Sequence, residues 1–502
     1  MASSDGTAMT TPPSGRTPWP EALALLLWLL ATIGMRPLLL PDEGRYAGVA
    51  LEMLHGDALL PTLDGLPFFH KPPLLYWLDM ASMSVFGIDA FAVRVGPVLL
   101  AWLLGMAMSS HLRRWHGDAA ARLGLVVLAT SPLYFVGAQY VNHDIGVAAC
   151  ITAAVLALVR AVDEPPRRSQ RWLLAGWAFC GLGVLAKGLI GVVLPLLVVA
   201  PWLLAQRRWR DTLWLLHPLA LLVFAVIVAP WMLTMQARFP GFFDYFIVEQ
   251  HFRRYAGVSF NNREPFWFFW VVLPLLVLPW SLWLWPALRQ RGARAGLYLW
   301  WVFVVVAFFS LPASKLVGYV MPALAPMAAL LTLALPAQAS AGRRWAGIAA
   351  AGFCLAIIVA LAWAAPGSHR DVGRALAQRL QPGDRVIFID QNFYDLPFYA
   401  GLRPPVPVVS EWDDPDLPLH DNWRKELFDA ARFAPDHGDS VLWPWSRLAA
   451  LPCGSGNTWI VTTSEHLPRL HSLLRVTPVF EGRHALLLQV TPPACAEPAP
   501  SL

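Results

Sequence analysis

Two short polar stretches in a largely apolar chain carry residues suited to chemistry. Pro41-Asp42-Glu43-Gly44-Arg45-Tyr46 brings two carboxylates next to a guanidinium, and Phe69-His70-Lys71-Pro72-Pro73 offers an imidazole and an ammonium. Asn142-His143-Asp144 and His251-Phe252-Arg253-Arg254-Tyr255 add a carboxylate, two imidazoles and two guanidiniums. A positioned carboxylate can serve as general base, and Lys or Arg charge stabilises a departing phosphate. Asp42, Asp144, Lys71 and Arg254 together would make a site for both anions and cations, although a structural ion-pair network has the same composition. Pro72 and Pro73 hold the chain extended at Lys71, so its ammonium is presented from a stiff turn. His70 and His251 are suited either to sharing a zinc ion or to ordinary hydrogen bonds, with no third ligand defined. No glycine-rich loop opens a helix to cradle a nucleotide. A soluble nucleotide donor therefore has no evident seat, and a substrate already in the membrane is favoured.

The rest of the chain must position these groups within lipid. Of 502 residues, 57% are hydrophobic and 14% charged, against about 25% charged in a soluble globular protein. About eleven stretches meet or approach the ~20 apolar residues of a membrane-spanning helix. They centre on 22–39, 92–111, 119–136, 141–162, 172–185, 189–205, 213–235, 265–285, 297–311, 316–335 and 345–365. Residues 1–20 form a polar lead-in to a transmembrane domain over 21–366, whose first loop covers 41–90. In that loop, GRYAGVALEML and LLYWLDMASMSVFG are too short to span and are expected as interfacial helices. The net charge of +5 is a matter of membrane sidedness and not of nucleic-acid binding.

Counting from a cytoplasmic N-terminus, the arginine-rich connections HLRRWHGDAAAR, DEPPRRSQR, QRRWRD, RQRGARA and AGRR all fall inside. The polar stretches above and the tail fall outside. Outer cations such as Arg45, Lys71, Lys187, Arg254 and Lys315 run against that bias, which makes them candidates for holding an anionic ligand. From residue 367 to 502 the composition shifts to β-branched runs separated by turns, GDRVIFI, NTWIVTT and HALLLQV among them, and predicts a small α/β or α+β domain. Cys150, Cys180 and Cys354 lie in apolar runs and are expected as inert thiols. Cys453 and Cys495 lie in the outer tail, where a disulfide between them is favoured by the compartment.

The ordered set PDEGRYA, FFHKPPLLYW, the aspartate of NHD, EQHFRRY and SKLVGYVMPALAP resembles the GT-C glycosyltransferases related to protein O-mannosyltransferases, nearest the branch of 4-amino-4-deoxy-L-arabinose lipid A transferase. The resemblance implies a polytopic helical enzyme of the bacterial inner membrane with a periplasmic active site and periplasmic C-terminal domain. Its reaction would move a sugar from a polyprenyl (undecaprenyl) phosphate to lipid A or another envelope acceptor. Asp42 and Asp144 would be catalytic, Lys71, Arg254 and Lys187 would hold the donor phosphate, and Glu43, Arg45, Lys315 and Tyr319 would line the substrate pocket. In the aminoarabinose branch a Glu precedes the Lys of the FHKP-like motif and joins the loop His at zinc; here that position is His70. Protein glycosylation is the alternative activity. A transporter or flippase fits poorly, because no inverted repeat is evident and the polar groups gather at one face.

Overall fold

The computed structural model describes residues 18–253, 262–335, 341–451 and 456–491, and of residues 251–253 the backbone alone. The chain forms two compact units: Met1–Ile33, Arg94–Leu233 and Asn262–Val359 in one, and Gly34–Val93, Thr234–Asn261 and Ala360–Leu502 in the other.

The first unit is helical. Helix α1 is Trp19–Leu30, and α4 runs Ala92–Ala129 with a break at Gly117, where φ is 85°. That break lies in the arginine-rich connection expected between the second and third apolar stretches. Further on come α5 (Pro132–Ala138), α6 (His143–Asp163), α7 (Pro166–Lys187) and α8 (Ile190–Ala205). Among the described residues six helices are long and apolar enough to cross a bilayer, against about eleven expected spans, and the pair Phe268–Leu276 and Trp280–Leu288, bent by 113°, would add a seventh; α1, α3 (Leu74–Phe86, in the second unit) and α8 are shorter apolar helices. The chain is thus a polytopic helical membrane protein. Helix α6 is buried along nearly its whole length and serves as a central post. Ala341–Ala364 instead exposes Trp345, Ile348, Phe353 and Val359, an apolar face suited to lipid. Cys150, Cys180 and Cys354 are buried free thiols, as their apolar surroundings imply.

The second unit joins the first loop to a mixed sheet. Helix α2 (Asp42–His55) begins at Asp42 itself, and α3 follows Pro73, so both short amphipathic stretches are helices. Between them, β1 (Thr62–Leu63) and β2 (Leu66–Pro67) form a hairpin turned by Asp64-Gly65, with φ of 56° and 78°. Asp-Gly is favoured where both central residues need positive φ. Beyond residue 380, β3 (Arg385–Ile389), β4 (Val408–Val409), β5 (Leu442–Trp443), β6 (Thr458–Thr462), β7 (Val476–Glu481) and β8 (Leu486–Val490) form one sheet in the order β5-β4-β3-β6-β8-β7. The first four are mutually parallel, while β8 runs antiparallel to β6 and β7. Ile387, Ile460 and Leu488 are fully buried in its core. The expected strand segments supply β3, β4, β6 and β8.

Two buried polar arrangements fix the loop's shape. Glu43, wholly buried, pairs with Arg36 and accepts the Leu39 amide at 2.9 Å, which anchors the start of α2. Glu52 accepts the amides of Asp64 and Gly65 at 2.7 and 3.0 Å, while Asp64 Oδ1 accepts the Val406 amide at 2.7 Å. Burial raises the Glu52 carboxyl above its ordinary range and raises that of Asp64 well above, with the Glu52 charge adding to the latter.

Removing one partner of a buried ion pair typically costs about 3–5 kcal/mol, whereas replacing both with apolar groups is often neutral. Arg36→Met should therefore lower the thermal unfolding midpoint of the detergent-solubilised protein sharply, and Arg36→Met/Glu43→Met should recover most of it. Carboxyls with raised folded pKa contribute stability fully present below the unfolded carboxylate range, about pH 4, and lost as pH rises through the folded values. Stability measured by denaturation should accordingly decline as pH rises above that range, and Asp64→Asn should flatten the decline.

Candidate active site

In the first unit, the central post supplies a buried carboxylate. Asn142 caps α6 by accepting the Asp144 amide at 3.0 Å, which holds Asp144 in the first turn, where the helix dipole favours negative charge. Helix α7 ends at Lys187, whose ammonium pairs with Asp144 Oδ1 and lies 4.6 Å from the centre of the Tyr319 ring. Both side chains are largely buried, at 12% and 7% exposure for Lys187 and Asp144. Their mutual neutralisation, with added cation–π attraction from Tyr319, makes the pair tolerable in apolar surroundings. Gly318 makes the approach feasible: a Cβ there would stand 2.2 Å from Asp144 Oδ2. Lys315 does a different job. It is 4% exposed and its ammonium donates to the carbonyl oxygens of Glu264 at 2.7 Å and Pro312 at 2.5 Å, pinning the 262–264 segment against 313–315.

In the second unit, Asp42 occupies the first turn of α2 and pairs with Arg45 one turn on. Arg45 also pairs with Glu426 of the helix Trp423–Ala431, and the other Glu426 oxygen accepts the Tyr394 hydroxyl at 2.5 Å. Exposure differs along this chain of charges: Arg45 and Glu426 are at 12% and 10%, while Asp42 keeps 23%. Burial raises the Glu426 carboxyl, and the adjacent Arg45 charge opposes that rise. Asp42 is thus a partly accessible carboxylate held by a guanidinium that is itself fixed from the far side.

The second motif of the loop is fixed by aromatic packing. Phe69 is buried among Phe239, Phe242 and Phe433, with ring centroids 4.9–5.2 Å apart. His70 stacks on Phe68 at 4.5 Å, and Lys71 beside it is half-buried. His251 belongs to the π-helical segment Asp244–Arg253, but its side chain lies outside the described residues, as do Arg254, Cys453 and Cys495. Among the described residues no group of three or more His, Cys, Asp or Glu is arranged to hold a metal ion.

The structure therefore brings together Asp144, Lys187 and Tyr319 in one unit, and Asp42 and Arg45 in the other. Glu43 and Lys315 are enclosed by protein partners and hold backbone in place. Sequence reasoning missed Arg36, Tyr394 and Glu426. Arg36 sits at the end of the first apolar run and gave a weak signal as a cation seven residues before Glu43. Glu426 and Tyr394 lie in the tail, where no local motif marks them.

Chemically, the first unit offers a neutralised carboxylate–ammonium pair under an aromatic ring, and the second an accessible carboxylate of fixed orientation. Such groups can orient a hydroxylated substrate, accept a proton and stabilise a leaving phosphate.

Comparison with known proteins bears on the family and the fold. Residues 36–246 match the family model described as dolichyl-phosphate-mannose-protein mannosyltransferase. An undecaprenyl phosphate-alpha-4-amino-4-deoxy-L-arabinose arabinosyl transferase of Pseudomonas aeruginosa is 35% identical over 364 residues, 70% of this chain and 66% of the relative. The protein of the same name from Erwinia tasmaniensis is 35% identical over 62% of this chain and 58% of its own length. The matched region thus spans just under two thirds of these curated relatives. The crystal structure of ArnT from Cupriavidus metallidurans bound to undecaprenyl phosphate superposes with a TM-score of 0.80 at 24% identity, covering 94% of this chain and 97% of that one. Motifs, fold and relatives agree: the chain belongs to the GT-C glycosyltransferases related to protein O-mannosyltransferases, and the curated relatives it resembles are named as 4-amino-4-deoxy-L-arabinose arabinosyl transferases.

Proposed function

We propose that the protein is an inverting glycosyltransferase that moves a sugar from undecaprenyl phosphate to lipid A or a related envelope acceptor. The observation that carries this reading is Asp42, a carboxylate left partly accessible at the start of α2 and held by a buried Arg45–Glu426 pair. The names of the relatives supply the donor and the sugar class. The arginine-rich connections favour a cytoplasmic side for themselves, which supports a reaction on the periplasmic face of the inner membrane.

In the reaction an acceptor oxygen attacks the anomeric carbon as the bond from that carbon to the phosphate oxygen breaks. The polyprenyl phosphate departs with the bonding pair. Lys71, Arg254 and Lys187 are the cations assigned to the charge that develops there. A hydroxyl acceptor gives its proton to Asp42. An ionised phosphate acceptor needs no base, and Asp42 then orients it or stabilises the oxocarbenium-like centre. Asp144 pairs with Lys187 and aims its ammonium. His70 and His251 are the residues that would take a zinc ion, and the steps above do not pass through it.

The direct cellular test is mass spectrometry of lipid A, other envelope glycans and periplasmic proteins with and without the gene. Loss of a pentosamine from lipid A is expected; loss of a hexose from protein would replace the assignment with the O-mannosyltransferase-like reaction. Asp42→Asn should reduce transfer by about 10²–10⁴ with an unchanged unfolding midpoint. Because a Cβ at Gly318 displaces the Asp144 carboxylate, Gly318→Ala should lower transfer by up to about a hundredfold, measured as product formed by purified protein, while membrane yield is preserved.

A further inference from the structure

Within the second unit lies a cavity of about 370 Å³ that the transfer reading does not use. Its walls come from α2, the β1–β2 hairpin and the segment following β3, and that size falls within the roughly 300–1,000 Å³ of small-molecule sites. Leu51, Leu63, Phe388 and Tyr394 give it apolar faces. Two polar side chains in its lining are more than nine-tenths buried, Asp64 at 8% and Asn392 at 6% exposure. Asp64 Oδ2 and Asn392 Nδ2 have no hydrogen-bond partner among the described residues. Leaving a buried polar atom unpaired is costly, so an acceptor and a donor beside one cavity, both lacking partners among the described residues, point to a ligand that supplies both.

Charge narrows its class. The lining holds three carboxyls, Glu52, Asp57 and Asp64, beside the Arg403 guanidinium and the His55 imidazole, so acidic groups outnumber basic ones and an anion is disfavoured, while Asp57 is already paired with Arg238 at 2.6 Å. A cation would satisfy Asp64 and leave the Asn392 amide N–H without an acceptor. A hydroxyl meets every requirement, since it both donates and accepts and so suits Asp64 in either protonation state. Apolar walls suit the carbon faces of a ring bearing such hydroxyls. We propose that this cavity is a binding site for a neutral saccharide, held by Asp64 and Asn392 against the apolar wall. Through Tyr394, which lines the cavity and donates to Glu426, the site adjoins the ion pairs that hold Asp42.

The test is saturation-transfer NMR on the full chain in detergent, with methyl glycosides of glucose, mannose, galactose and N-acetylglucosamine as probes. Inorganic phosphate and methylammonium serve as charged controls. At least one glycoside should bind saturably, and Asn392→Leu and Asp64→Asn should each weaken it at least tenfold. Hydrogen exchange in the unaltered protein should slow around residues 48–64 and 392–406 when that glycoside is added. Asp42→Asn should leave binding unchanged, so the inference can stand or fall apart from the transferase reading. Saturable binding of none of the four glycosides, displacement by phosphate or methylammonium, or full binding in both variants would overturn it.

Discussion

The interaction on which the site depends is the Arg45 guanidinium shared between Asp42 and Glu426. One face of the guanidinium fixes a carboxylate at the start of α2, and the other is fixed by a helix nearly four hundred residues further along the chain. A lone Asp at a helix N-terminus would sample several rotamers, and its orientation toward a reacting centre would be poor. Arg is suited to the task because its planar fork can serve two carboxylates at once, which a Lys ammonium does less rigidly. The tail beyond residue 360 therefore reaches the Asp42 carboxylate through Arg45. Its helix Trp423–Ala431 and Tyr394 hold the carboxylate that holds the arginine.

A parallel logic governs the first unit. Asp144 and Lys187 enter apolar surroundings only as a pair, the acid placed by the capped start of α6 and the base by the end of α7. Gly318 clears the space and Tyr319 covers the ammonium. Each of these residues depends on the others. An unpaired charge at that depth is expensive, so losing one member displaces the rest.

How much of this was readable in advance varies with the range of the interaction. Each apolar stretch contains helix, because backbone satisfaction in lipid leaves little choice of structure, but against about eleven expected spans only six helices among the described residues, or seven with the bent pair, are long and apolar enough to cross, with α4 covering two of the stretches. The two short amphipathic helices were legible from length and pattern, as were four strands of the tail. Asp42, Asp144 and Lys187 stood out as ionisable groups beside long apolar runs. Their partners did not. Glu426, Tyr394 and Arg36 meet the loop through tertiary packing, and a charged residue in a polar tail carries no mark of the partner it will find. For the same reason the family resemblance, which implies a pocket role for Glu43 and Lys315, gave no sign that both are buried and bonded to backbone, Glu43 to the Leu39 amide and Lys315 to the Glu264 and Pro312 carbonyls. The cavity lined by Asp64 and Asn392 was also invisible, since its walls come from segments more than three hundred residues apart.

The central claim is that this chain breaks the bond between a sugar and a polyprenyl phosphate. The most direct measurement is reconstitution of the purified protein with undecaprenyl phosphate-linked 4-amino-4-deoxy-L-arabinose and lipid A, following release of undecaprenyl phosphate and the anomeric configuration of the product. The account predicts stoichiometric release dependent on lipid A, with the configuration at the anomeric carbon inverted. Retention of configuration would contradict the single-displacement chemistry. Absence of release with lipid A or any other envelope acceptor, from a folded protein that binds the donor, would contradict the assignment itself.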